Sequence, residues 1–201
     1  MSRKRERARG TTPADDGPWL DAAEARPRLL LFAAAGRADI ETMVATGAVG
    51  GLVVGEADAA TRALAQRQRL PLLLHGTAAA ARAAGTDGIH LDRPEQVAAA
   101  RGELGREALI GASCGLSRHA AMVAGEAGAD YVLFGSLGDA PDEHVAELVA
   151  WWNELFVLPC AAAGRFSSET VQALVARGAD FIATDQANVE LAQALVLPGT
   201  S

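Results

Sequence analysis

The chain has 201 residues, half of them hydrophobic, and a formal net charge of −7. That length supplies one domain with ample core, and the acidic balance argues against general nucleic-acid binding. No apolar run approaches the roughly 18 residues that a membrane span needs. The two cysteines, Cys114 and Cys160, form neither a disulfide framework nor a metal pattern. They read as free buried thiols of a reducing, cytoplasmic compartment.

Residues 1–27 stand apart. Arg3, Lys4, Arg5, Arg7 and Arg9 lead into Thr-Thr-Pro-Ala-Asp-Asp-Gly-Pro, with no apolar run of a secretory signal. This predicts a solvated, disordered tail, with Trp19 and Leu20 placed to tack its end onto the folded part. From 28 to 197 short apolar runs alternate with helical patterns. Strands are expected at Arg28–Ala33, Gly51–Val54, Pro71–Leu74, Gly88–Leu91, Ala108–Ser113, Tyr131–Phe134, Phe156–Ala161 and Phe181–Thr184. Helices are expected between them. Asp58, Thr77 and Ser117 serve as caps, Pro94 sits in a first turn, Pro141 or Asp142 opens one helix, and Ala187–Leu195 forms the last.

A turn recurs. Gly85-Thr86-Asp87, Gly128-Ala129-Asp130 and Gly178-Ala179-Asp180 each precede a strand, with Gly47-Ala48-Val49 as a looser copy. The glycines lie 38, 43 and 50 residues apart, each about two compact βα units. Gly128 is expected in the left-handed conformation that ends a helix. Eight strands alternating with eight helices predict parallel pairing and an α/β fold. The count favours a small, compact (β/α)8 TIM barrel. An open doubly wound sheet is the alternative, weakened because no Gly-rich dinucleotide fingerprint follows any strand.

A barrel places its site at the C-terminal ends of its strands. The positions so nominated include Ala34, Glu56, His75, Asp92, Ser113, Cys114, Gly135, Asp139, Gly164, Arg165, Thr184 and Asp185. His75 reads either as a base or metal ligand or as a strand-end residue bonded to backbone. His90 lies two residues before Asp92 and reads as a satisfied residue of the barrel wall. Asp92 and Glu95 either hold a hard cation such as Mg²⁺ or merely decorate a helix start. A metal site from His75, Asp92 and Asp185 is a weaker reading. The loop Ala162–Ser167 offers backbone N–H groups to a phosphate, with Arg165 either adding a contact or lying on the surface. Trp151, Trp152 and Phe156 cluster, and either cover a partner in a homodimer or pack the barrel's outer layer.

Five stretches also resemble the thiamine phosphate synthase and thiazole tautomerase family. They are Pro71–Leu74, Gly85–Leu91, Ile110–Ser113, Gly128–Gly135 and Gly178–Asp180, in matching order and spacing from about Pro71 to Ala187. The resemblance implies a barrel of thiamine biosynthesis. Active members join a pyrimidine pyrophosphate to a thiazole phosphate with Mg²⁺, a transferase reaction in which pyrophosphate leaves as a carbocation forms. It implies Ser113 and His75 as catalytic candidates and Gly135, Gly164, Arg165 and Thr184 around substrate phosphate. Asp92 and Glu95 would lie at the metal, and the partner would be a small phosphorylated metabolite.

Several family positions are changed. The Gln-Leu-Arg-x-Lys run after strand two is Leu52-Val53-Val54-Gly55-Glu56, the Asn-Asp pair after strand three is His75-Gly76, and Gly-Gln-Glu-Asp after strand four is Asp92-Arg93-Pro94-Glu95. Thr-x-x-Lys after strand six becomes Gly138-Asp139-Ala140-Pro141, Gly-Gly after strand seven becomes Gly164-Arg165, and Val-Ser after strand eight becomes Asp185-Gln186. The tautomerase's histidine is Gly115. The resemblance therefore implies the family's scaffold without its phosphate-binding Arg/Lys or one metal-ligand Asp. The alternative to a working synthase is a barrel that binds a small metabolite or a protein partner.

Overall fold

A computed structural model of the chain describes residues 27–33, 37–139, 143–185 and 188–196. The expected tail, Ala34, Ala35, the Pro141–Asp142 helix start, Gln186 and Ala187 lie outside the described residues. Eight parallel strands close into a barrel in sequence order. They are β1 (Arg28–Ala33), β2 (Val49–Val54), β3 (Leu72–His75), β4 (Gly88–Leu91), β5 (Leu109–Gly115), β6 (Tyr131–Gly135), β7 (Cys160–Ala163) and β8 (Phe181–Thr184). The helices between and after them are α1 (Arg37–Ala45), α2 (Ala59–Gln68), α3 (Ala78–Ala84), α4 (Val97–Leu104), α5 (Arg118–Glu126), α6 (Glu143–Leu155), α7 (Ser168–Ala176) and α8 (Val189–Val196). Asp58, Thr77, Ser117 and Ser167 cap α2, α3, α5 and α7 through their side-chain oxygens. Pro94 opens a 3₁₀ turn ahead of α4.

The recurring turn has a mechanical meaning. Gly85, Gly128 and Gly178 all take positive φ, which only glycine adopts without strain. The Asp two residues later then turns its carboxylate onto a backbone N–H at the start of the preceding strand. Asp87 accepts from Leu72 at 2.8 Å, Asp130 from Ile110 at 2.7 Å and Asp180 from Cys160 at 2.9 Å. Each such Asp ties an even strand to its odd neighbour at the barrel floor. Asp130 has a second partner in Arg101, whose guanidinium donates to Asp130 at 2.6 Å and to the carbonyls of Ala108 and Gly128. Gly47 keeps the positive φ but has no Asp behind it.

Two apolar layers follow from strand alternation. Leu29, Leu52, Leu72, Ile89, Ile110 and Val132 face outward under the helices. Leu30, Phe32, Val53, Leu73, Tyr131, Leu133, Ala161 and Phe181 fill the interior. Phe156 belongs to neither strand nor interior. It stacks on Trp152 at 4.0 Å between ring centroids, while Trp152 donates to the Leu158 carbonyl at 2.7 Å. That packing ends α6, so β7 begins only at Cys160, after Pro159 and four residues later than the apolar run suggests. Trp152 is buried against Phe134 in the outer layer.

The clamps predict a ranking. Asp87→Ala removes one strand-start bond and is expected to lower stability by about 1 kcal/mol, whereas Asp130→Ala also removes the carboxylate that pairs with the Arg101 guanidinium and is expected to cost about 2–3 kcal/mol. Urea denaturation of the two variants checks the order; equal losses would contradict it.

Candidate active site

The C-terminal rim gathers much of what sequence reasoning nominated. β3 and β4 pair with His75 opposite His90. His75 Nε2 lies 2.7 Å from Asp92 Oδ1, just past the end of β4. The partner of His75 is thus a carboxylate and not the expected backbone group. Their rings bring His75 and His90 to 5.8 Å, in edge contact. Asp92, Ser113, Cys114, Gly135 and Leu137 share the wall of one cavity of about 500 Å³, between the ends of β4, β5 and β6.

Below the cavity lies a polar string. His90 is 1% exposed, with Nδ1 2.7 Å from the Tyr131 hydroxyl and Nε2 2.9 Å from the Ser113 hydroxyl. Gly111 makes the room, because a Cβ there would sit 2.0 Å from Tyr131 Cζ. Burial, aided by the neighbouring His75, drops the His90 pKa to about 3, and the Asp92 charge only partly opposes this. Burial likewise pushes the Tyr131 phenol up, and the thiols of Cys114 and Cys160 to about 12. Cys114 therefore lines the cavity as an inert thiol.

The other nominated residues sit around the rest of the rim. Glu95 is exposed on the 3₁₀ turn, and Thr184 is buried at the end of β8. Gly164 follows β7 with no room for a side chain, since a Cβ would meet the Phe166 ring at 2.8 Å. Arg165 is exposed, and its backbone N–H donates to the Asp139 carbonyl at 2.9 Å, so the loops after β6 and β7 meet. Asp185 lies over Gly138, with its Oδ2 3.7 Å from where a Cβ would be. Glu56, Asp92, Glu95, Asp139 and Asp185 are all exposed at this end and make it acidic.

Mg²⁺ takes six oxygens in octahedral geometry, commonly one or two carboxylates with waters and phosphates. Asp92 has one oxygen engaged by imidazole. Among the described residues no three His, Cys, Asp or Glu side chains converge on a common point. His75, Asp92 and Asp185 therefore do not form such a group, while Asp92 and Glu95 are two carboxylates, the number Mg²⁺ commonly takes from a protein.

The family model for thiamine monophosphate synthase matches residues 53–187, two-thirds of the chain. The chain belongs to this family. A thiamine-phosphate synthase of Hyphomonas neptunium is 35% identical over 196 residues, covering 81% of this chain and 87% of the relative. One from Erythrobacter litoralis is 46% identical over 110 residues, 50% of this chain and 51% of the relative, so that match spans about half the relative's length. Among solved structures, a thiamine phosphate pyrophosphorylase from Pyrococcus furiosus has a TM-score of 0.69 at 20% identity, covering 85% of this chain and 93% of that one. A tryptophan synthase chain from Mycobacterium tuberculosis reaches 0.62 at 17% identity, with coverage of 92% and 98%. At these identities the structures share the fold alone.

Sequence reasoning named Ser113 and treated His90 as wall, but missed that Tyr131 completes one string with them. The signal lies in alternation. Positions 88 and 90, 111 and 113, and 131 fall on the inward face of three adjacent strands, with His90 opposite Gly111 and Gly111 opposite Tyr131.

His90 stays neutral in the fold down to about pH 3, while in the unfolded chain it takes a proton near 6.5. Its contribution to stability is complete above pH 6.5 and is lost as pH falls from 6.5 toward 3. Thermal melts of the parent and of His90→Gln test this. The parent is expected to lose stability more steeply across that window, by at most one proton's slope; parallel curves would contradict it.

Proposed function

We propose that this protein works in thiamine biosynthesis as a synthase-type barrel that binds the family's phosphorylated thiazole and pyrimidine at its C-terminal rim. The observation that carries the reading is the cavity walled by Ser113 and Gly135, which the family resemblance implies at the reacting substrate, and by Asp92, which it implies at the metal. On this reading Gly164, Arg165 and Thr184 lie toward phosphate, with backbone N–H groups after β7 as donors. A cytoplasmic location suits the two free thiols.

The rim argues for binding with slow coupling. Loss of pyrophosphate from the pyrimidine places its main demand on oriented positive charge around the departing oxygens. The loop after β2 carries Glu56 where the family carries cations, and Asp139 stands in the loop after β6 where it carries lysine. Each missing oriented contact is worth about 3 kcal/mol in the transition state, or roughly 10²–10³ in rate.

Isothermal calorimetry with thiazole phosphate is expected to give saturable binding, weakened about tenfold in Ser113→Ala. Both precursors with Mg²⁺ are expected to yield thiamine phosphate at least 10²-fold more slowly than a relative with the full charge set. No product and no binding of either precursor would overturn the proposal. The acidic rim favours one second reading, a barrel that takes an unphosphorylated metabolite. A thermal-shift screen separates the two, since a true ligand raises the melting temperature by mass action.

A further inference from the structure

The string Tyr131–His90–Ser113 has two bonds and three protons to arrange. Its members are fixed in place. The His90 and Tyr131 rings lie 27° from parallel with centroids 5.6 Å apart, and Phe32 presses edge-on against His90 at 4.8 Å. Buried so deeply, the imidazole is neutral, and a neutral imidazole has one N–H and one bare nitrogen. The two bonds must therefore run in the same direction along the string. In one order the phenol donates to Nδ1, and Nε2–H donates to the Ser113 oxygen. In the other, Ser113 donates to Nε2, and Nδ1–H donates to the phenol oxygen.

The chemistry of the donors separates these. A phenol, with a pKa near 10, is a far stronger donor than an aliphatic hydroxyl or a neutral imidazole N–H, and a bare imidazole nitrogen is the best acceptor present. The low polarity of the interior magnifies that difference. The first order pairs the strongest donor with the strongest acceptor. It also leaves the Ser113 proton unused within the string, at a residue that lines the cavity.

We infer that Tyr131 and His90 are positioning residues that set Ser113 as a hydrogen-bond donor to the cavity, so that a ligand presents an acceptor there: a phosphoryl oxygen, a carbonyl or a bare ring nitrogen. This rests on the proposed function only in taking the cavity as the binding site. The order of protons in the string belongs to the ligand-free protein.

The test is long-range ¹H–¹⁵N spectroscopy of the full chain with ¹⁵N-labelled histidine, without ligand, at pH 7. Exposed His75, His119 and His144 are assigned by substitution with Gln, which leaves His90 by elimination. The expected result is His90 protonated on Nε2 with Nδ1 bare. In Tyr131→Phe the bare Nδ1 signal is expected to move to higher frequency, as a nitrogen does on losing a hydrogen-bond donor. His90 protonated on Nδ1 would overturn the inference, and the parent spectrum alone decides this if Tyr131→Phe does not fold. Because no ligand is added, a failure of precursor binding, which would overturn the proposed function, leaves this result standing.

Discussion

Every feature of the rim depends on the seam between the first and last strands. Arg28–Leu31 pairs in parallel with Phe181–Thr184, across some 150 residues of chain. Without that seam the sheet has two open edges, and residues from 75 to 185 have no common end at which to meet. Parallel pairing leaves no hairpin to enforce neighbours, so each register must be set by something local. The Gly-x-Asp turns do this at β3–β4, β5–β6 and β7–β8, where one carboxylate fixes the start of the partner strand. Arg101 reinforces the middle clamp and makes β5 and β6 the most heavily tied of the three clamped pairs, beneath the cavity.

Inside the ring, size and polarity are distributed unevenly. Gly88, Gly111, Ala161, Ala163 and Ala183 leave space that Phe32, His90, Tyr131 and Phe181 occupy. A buried imidazole in such a place is destabilising unless both nitrogens are satisfied. Here both are, and the satisfied string ends at a hydroxyl on the cavity wall. The same packing therefore stabilises the interior and prepares one side chain for a ligand.

Most of the fold was legible because it is written in short-range chemistry. Positive-φ glycines, Asp and Ser caps and brief apolar runs located all eight strands, with β1, β4 and β8 to the residue. The run Phe156–Ala161 misled because apolarity does not distinguish a strand from a helix terminus packed on Trp152. The site was legible in part. Asp92, Ser113 and Gly135 follow from strand ends, and they share a wall. The string through Tyr131 did not, because it depends on which alternate face of three strands turns inward. The carboxylate partner of His75 depends on the register of β3 against β4. Neither is marked by any single residue.

The family scaffold and the rim's charge pull in different directions. The chain keeps the turns, the β5 serine and Gly135 and Gly164 at the ends of β6 and β7. It has acidic or neutral residues where the family's reaction places cations. On the proposed function, such a barrel would hold its ligand through backbone and hydroxyl donors more than through ionic grip. The most direct measurement is a crystal structure of the protein soaked with thiazole phosphate. The account predicts ligand density in the cavity between the ends of β4, β5 and β6, within hydrogen-bond distance of the Ser113 hydroxyl. Ligand bound elsewhere with that cavity holding only water, or strands that leave His75, Asp92, Ser113 and Gly164 on different sides of the molecule, would contradict it.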